Sequence, residues 1–163
     1  MMISAAMNTK LNEQVTAEFF AAHKYLSMAT AFERMALKSL KTRFLKQYQE
    51  EIGHGMKILH YIEEAGGTVT LEAVPKPPSD FKSVLAMAQL AVDGELEITR
   101  RIHDIVALAE SEKDYATRSF MHWFVDEQVE EISTMTDILN WVKLAGDNVL
   151  QAEALVRHSL GES

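Results

Sequence analysis

Glu51-Ile52-Gly53-His54 sets a carboxylate and an imidazole three residues apart, a spacing that puts both on one face of a helix. Three further glutamates, Glu18, Glu95 and Glu131, each stand at the centre of an apolar stripe of their own. Burying a carboxylate is costly, because loss of water disfavours its charged form. Four glutamates facing one core make sense when a positive charge sits between them, and the obvious candidate is a pair of metal ions. Carboxylates with one imidazole suit iron or manganese, and zinc can also enter such a site.

An outer layer adjoins these four. Glu50 flanks Glu51, and Glu127 and Glu130 flank Glu131. Alone, such residues read as a solvated acidic helix face; beside a metal centre they read as a third, weaker cation site. Tyr25 lies two turns beyond Glu18 on the same face. It is either a core tyrosine with a bonded hydroxyl or a phenol close enough to the metals to hydrogen-bond a ligand or give up an electron. Of the six histidines, His54 alone has a carboxylate frame. His23, His60, His103, His122 and His158 are expected at the surface or in packing roles, with His122 a candidate for lining a pore in an assembly. The nine methionines read as core filler rather than a haem or copper site.

Positioning four glutamates at one level requires long helices. At about 100° per residue, Leu11, Val15, Ala22, Tyr25, Ala29 and Phe32 share the face of Glu18, and Phe44, Tyr48, Ile58 and Ile62 share that of Glu51. Val84, Ala88, Val92, Ile98, Ile102 and Val106 accompany Glu95; Phe120, Phe124, Met135, Ile138 and Val142 accompany Glu131. The pattern predicts helices over residues 9–33 with Asn8 as cap, 39–65 ending at Gly66-Gly67, and from a Ser79 or Asp80 cap to 111. A fourth runs from an Asp114 cap to 144, ended by Gly146, and a short fifth covers 149–158. Short links make the first and second helices antiparallel, and likewise the third and fourth. The second and third are joined by a segment of about 14 residues, long enough at roughly 3.3 Å each to run the length of a helix of about 27 residues at 1.5 Å each. The expected fold is an all-α four-helix bundle with one long crossover between the second and third helices and a short fifth C-terminal helix. It forms a single domain over residues 1–163, with no repeat.

Composition narrows the function. The 163 residues suffice for one real core, and 47% hydrophobic with 25% charged residues is ordinary for a soluble globular chain. No apolar run approaches a membrane span, and the first residues lack the pattern of a signal peptide, so a cytoplasmic location is expected. The absence of cysteine excludes disulfides, thiolate catalysis and iron–sulfur ligation by this chain. A net charge of −8 argues against a nucleic-acid partner and is compatible with attracting cations.

The chain resembles the non-haem bacterial ferritins over almost its full length. The resemblance is carried by Glu18 with Tyr25, Gln49-Glu50-Glu51-Ile52-Gly53-His54, Lys76-Pro77-Pro78-Ser79, Glu95, and Trp123-Phe124-Val125-Asp126-Glu127-Gln128-Val129-Glu130-Glu131. It implies a ferritin-like di-iron bundle that assembles with itself into a hollow shell of twenty-four subunits, oxidises Fe(II) with O2 or peroxide, and stores ferric mineral. By position, Glu18, Glu51 and His54 would hold one iron. Glu51 would bridge to a second held by Glu95 and Glu131, with Gln128 beside the centre. Glu50, Glu127 and Glu130 match a third iron site, and Tyr25 matches the tyrosine next to the first iron. The short fifth helix suits the channel-forming helix of the family.

Departures from related patterns are informative. Di-iron bundles commonly carry a second Glu-x-x-His, whereas here that stretch reads Gln128-Val129-Glu130-Glu131. The second iron therefore lacks a histidine and should bind more weakly. Ile52 stands where bacterioferritins place a haem-ligating methionine, so no haem is expected. Rubrerythrins need four cysteines for their second iron site. Gly53, Gly55 and Gly94 interrupt helices at a cost of up to about 1 kcal/mol each relative to alanine; close approach of neighbouring helices would account for them. Two alternatives to an iron store with ferroxidase activity stay open: a di-iron protein whose main task is peroxide detoxification, and a structural cage with a vestigial centre.

Overall fold

In the computed structural model, which describes residues 2–161, the periodic segments form α1 (Ala5–Arg34), α2 (Lys38–Glu64), α3 (Val84–Glu112), α4 (Tyr115–Ala145) and α5 (Val149–Ser159). No strand occurs among the described residues. Met1, Glu162 and Ser163, the ends of the expected domain, lie outside them. The Met2 amide donates to the Ala65 carbonyl at 2.9 Å, so α1 begins where α2 ends. Ser4 Oγ donates to the Glu112 carboxylate at 2.8 Å, so α3 ends there too. Hence α2 and α3 run parallel, and residues 65–83 must travel the length of the bundle between them. Asn8 and Asn12 hold the start of this crossover, their side-chain oxygens accepting from the Thr68 amide at 2.8 Å and the Thr70 amide at 2.6 Å. Near its far end, Ser27 Oγ donates to the Pro78 carbonyl at 2.5 Å. The expected bundle with one long crossover and a short fifth helix is the observed one.

Two helix starts differ from expectation. Ser4, not Asn8, caps α1, its hydroxyl accepting from the Met7 amide at 3.0 Å; Asn8 lies one turn inside and spends its side chain on the crossover. α3 starts at Val84 rather than after Ser79 or Asp80. Ser83, in extended conformation, accepts from the Ala86 amide at 3.0 Å, and Phe81 is drawn against the core before the helix can begin. Asp114 caps α4 as expected, accepting from the Thr117 amide at 2.9 Å. Gly66 and Gly146 carry the positive φ that follows a helix end, 72° and 56°.

Leu37 precedes α2 without a side-chain cap. Glu153 of α5 supplies one, its carboxylate accepting from the Ser39 amide and, at 3.0 Å, from the Leu40 amide. A carboxylate is well placed there, at the positive end of the helix dipole. Ala152 and Val156 bury the other contact of α5. Glu153→Ala is expected to lower stability by about 1 kcal/mol, the usual worth of a helix cap, read as a drop in the denaturant midpoint.

The apolar interior forms two clusters rather than one. Toward the α1 C-terminus lie Tyr25, Phe32, Phe44, Met87, Met135 and Val142; toward the α1 N-terminus lie Leu11, Val15, Ile58, Ile102, Ile105 and Phe124. Between them is a polar layer. Gly55 lets α1 and α2 close up, since a Cβ there would come within 2.5 Å of the Phe19 ring. Gly53 faces open space, and nothing in the structure explains it.

Candidate metal centre

The polar layer contains Glu18 of α1, Glu51 and His54 of α2, Glu95 of α3, and Gln128 and Glu131 of α4, all buried. Each helix contributes a glutamate at the same height, because antiparallel partners pivot about short links and the crossover returns α3 in register with α2. Ligand atoms of Glu18, Glu51 and His54 lie within 4.8 Å of one another, as do those of Glu51, Glu95 and Glu131. Glu51 belongs to both groups. Its Oε2 lies 3.1 Å from His54 Nδ1, and Glu18 Oε2 is 3.9 Å from the same nitrogen. Glu18 Oε1 accepts from Gln14 at 2.9 Å, whereas Glu18 Oε2 is buried without a hydrogen-bond donor. An orphaned carboxylate oxygen facing a carboxylate and an imidazole is a donor arrangement that suits a divalent cation.

Tyr25 is buried at the edge of this layer, and its hydroxyl donates to Glu95 Oε1 at 2.5 Å. Gln128 Nε2 donates to Glu95 Oε2 at 3.1 Å, so it orients a ligand of the second group. The outer layer is distributed differently from expectation. Glu127 joins His54 and Glu131 in a third group of ligand atoms within 4.8 Å. Glu50 and Glu130 fall in none of the groups; Glu130 is exposed, and Glu50 lies 4.0 Å from Lys46. The other five histidines are all exposed.

Three supporting residues were missed in the sequence. Gln47 donates to Glu51 Oε1 at 2.8 Å and to Glu131 Oε2 at 2.7 Å, tying the two groups together. Behind it, Arg43 Nη2 donates to Gln47 Oε1 at 2.9 Å, which fixes which end of the amide faces the glutamates. Gln14 does for Glu18 what Gln47 does for Glu51. The signal was a repeated spacing, with Gln14 four residues before Glu18 and Gln47 four before Glu51.

Burial and mutual repulsion decide the charges. Burial, then the Glu51 charge, raises Glu18 well above the usual carboxylate range. The same two causes push Glu95 up to about 8 and Glu131 up to about 9. Burial opposes ionisation of Glu51 too, but the hydrogen bond and charge of His54 outweigh it and hold Glu51 low. Burial likewise disfavours the imidazolium of His54, and Glu51 more than compensates. Burial and the Glu95 charge raise the Tyr25 phenol well above its ordinary value. Without metal, burial and mutual repulsion thus favour the protonated forms of Glu18, Glu95 and Glu131, while Glu51 and His54 each favour the other's charged form.

A consequence for stability has a definite sign. Unfolded glutamates ionise near ~4.3, while folded Glu95 and Glu131 keep their protons to about 8 and 9. The native state therefore binds more protons across that interval, and stability falls as pH rises through it. Thermal melts with chelator present should show the melting temperature declining from about pH 5 to pH 9, with divalent metal abolishing most of the decline. A flat profile would mean that these carboxyls are ionised in the folded protein.

An all-helical bundle with a buried layer of four glutamates and a histidine carries the kind of donor set from which carboxylate four-helix bundles build metal sites. The ferritin-like domain family matches residues 8–145, and the chain belongs to that family. It is 38% identical over 147 residues to the bacterial non-heme ferritin of Staphylococcus aureus strain USA300, covering 90% of this chain and 89% of the relative. The corresponding protein of Staphylococcus haemolyticus is 36% identical over the same length, with the same shares covered. Among solved structures, an open-pore ferritin from the hyperthermophilic archaeon Archaeoglobus fulgidus superposes with a TM-score of 0.93 at 39% identity, covering 96% of each chain. An engineered closed form of that ferritin gives 0.92 at 40% identity, covering 96% of this chain and 95% of the other.

Proposed function

We propose that this ferritin is an iron store with ferroxidase activity, and that Fe(II) is oxidised at the buried layer. The observation that carries this reading is the pair of ligand groups sharing Glu51. One Fe(II) binds to Glu18, Glu51 and His54, and a second binds to Glu51, Glu95 and Glu131, with Gln128 holding Glu95. Each Fe(II) gives one electron. With O2, two electrons and two protons yield hydrogen peroxide; with peroxide, two electrons and two protons yield two waters. The glutamates release protons as iron enters and supply negative charge that favours Fe(III) over Fe(II). Tyr25, bonded to Glu95, is placed to donate a hydrogen bond or an electron at the edge of the centre. The two apolar clusters keep bulk water away on both sides.

The store itself requires a cavity, and self-assembly into a closed shell of twenty-four, in the cytoplasm, is the proposed form. The names of the Archaeoglobus relatives, an open-pore ferritin and its engineered closed form, support a hollow assembly. The outer acidic residues Glu50, Glu127 and Glu130 are proposed as a third, weaker iron position reached through Glu127. No part of the reading calls for haem.

The test combines particle size with chemistry. Light scattering should give a particle of twenty-four chains, and anaerobic protein given two Fe(II) per chain and then O2 should oxidise both rapidly. Monomers with no catalysed oxidation would overturn the reading, whereas a cage without oxidation would leave the vestigial-centre alternative. Faster turnover with peroxide than with O2 would favour detoxification as the main task. Filling should be ordered, because the group at Glu18, Glu51 and His54 includes an imidazole nitrogen, which Zn(II) favours over carboxylate oxygen, whereas the group at Glu51, Glu95 and Glu131 offers oxygens only. Crystals soaked in limiting Zn(II) should therefore show metal at Glu18, Glu51 and His54 first.

A further inference from the structure

Gly94 and Lys24 form a pair that the ligand set does not use. Gly94 lies inside α3, where glycine costs up to about 1 kcal/mol relative to alanine. A Cβ at that position would meet Lys24 and no other residue, with Nζ at 3.0 Å and Cε at 4.0 Å. The missing side chain is therefore the seat of an ammonium group. Lys24 is half-buried and makes no salt bridge within 4.0 Å among the described residues; its nearest aromatic support is the Phe20 ring, 5.2 Å away. Glu97, the acid closest to Gly94 in sequence on the outer groove, is engaged by Arg100 and by Arg101 at 3.1 Å.

The position of that ammonium relative to the centre follows from the neighbours. Lys24 precedes Tyr25 and Gly94 precedes Glu95, and Tyr25 and Glu95 are hydrogen-bonded to each other. Lys24, Tyr25, Gly94 and Glu95 also line one narrow crevice between α1 and α3. Lys24 and Gly94 stand at its junction with a wider outer groove of about 540 Å³. An unpaired cation thus forms part of the wall immediately outside the second ligand group. Burial lowers the pKa of Lys24, and the charges of Glu95 and Glu51 oppose that lowering, which is the same coupling seen from the lysine.

We propose that Lys24, seated on Gly94, is an electrostatic positioning residue that weakens cation binding at the Glu51, Glu95 and Glu131 group. This rests on the reading of that group as the second iron position. Repulsion scales with the charge of the ion, so Lys24 disfavours Fe(III) there more than Fe(II). It speeds departure of the oxidised ion from the position that has to be emptied for the next turnover. The first position, at Glu18, Glu51 and His54, shares only Glu51 with the carboxylates whose charges act on Lys24 and is affected less.

The test uses Zn(II), which binds without redox chemistry, and the assembled metal-free protein near pH 7. Calorimetric titration of the wild type should resolve two binding steps, assigned to their ligands by anomalous diffraction. Lys24→Met should tighten the second step by roughly tenfold, the scale of one charge acting on a divalent ion across a partly screened wall, and the first step much less. Lys24→Gln gives a second neutral side chain should the methionine variant fold poorly. Lys24→Arg keeps the charge and should stay near wild type. Gly94→Ala should move part of the way toward Lys24→Met, because the new Cβ displaces the ammonium. An unchanged second step in both neutral variants, or equal tightening by arginine, would overturn the proposal. A wild type that binds no second Zn(II) at Glu95 and Glu131 would instead overturn the two-metal reading on which it rests.

Discussion

Glu51→Ala is expected to abolish fast Fe(II) oxidation, with a loss beyond the roughly 100-fold that follows removal of an outer partner of a metal ligand. Glu51 is the one side chain common to the two main ligand groups, so both proposed iron positions lose a ligand at once. The substitution also leaves His54 Nδ1 and one bond of the Gln47 amide without their carboxylate partner. The fold should persist, because His54 can give up its proton once its carboxylate partner is gone, and the two apolar clusters are untouched. Removing Glu51 also takes away the charge that adds to burial in raising Glu18, Glu95 and Glu131. Stopped-flow oxidation of two Fe(II) per chain, alongside circular dichroism and particle size, checks this. A folded cage that oxidises iron at the wild-type rate would remove Glu51 from the mechanism.

Gln47→Leu should have the next largest effect. It deletes the donor that ties Glu51 to Glu131 and leaves Arg43 Nη2 without its acceptor, beside an Nη1 that already has no partner. A stranded buried donor costs about 1–3 kcal/mol, and loss of ligand orientation costs roughly 10–100-fold in metal affinity or activity. Arg43→Met should cost less activity, since the Gln47 amide remains and loses only the group that fixes its orientation. Zn(II) affinity and oxidation rate measured together separate the two effects. If Gln47→Leu lowered stability but left both of those unchanged, Gln47 would be a packing residue and not a support of the centre.

The four glutamates and His54 were legible because helical periodicity reports which side chains face inward, and carboxylates centred on apolar stripes are anomalous enough to notice. The bundle topology was legible from link lengths. Helix starts were less so, because Ser4 and Asn8 are both acceptable caps, as are Ser79, Asp80 and Ser83. The choice is made by distant contacts: Met2 with Ala65, Asn8 with Thr68, and Phe81 with the core. Gln14, Gln47 and Arg43 look like ordinary polar residues of a surface helix, and only their four-residue spacing from a glutamate or from each other marks them. Glu50, Glu127 and Glu130 share a short sequence neighbourhood with the ligands, yet only Glu127 turns toward His54. The partner of Gly94 could not be read at all, because it lies on another helix with nothing local to announce it.

The division of the apolar interior into two clusters gives the bundle two separate seats of cooperativity. Each end can hold its share of the four helices while the middle loosens, since no continuous apolar column runs through the polar layer. In the metal-free protein, backbone amides flanking Glu18, Glu51, Glu95 and Glu131 should exchange their hydrogens sooner than those around Phe32 or Ile62, by local opening rather than global unfolding. Two ions held as proposed, one joining α1 to α2 and the other joining α2 to α3 and α4, would fasten the halves into one unit. Cycles of filling and emptying would then alternately lock and release the waist of the bundle, so that breathing of the subunit keeps time with the traffic of its cargo.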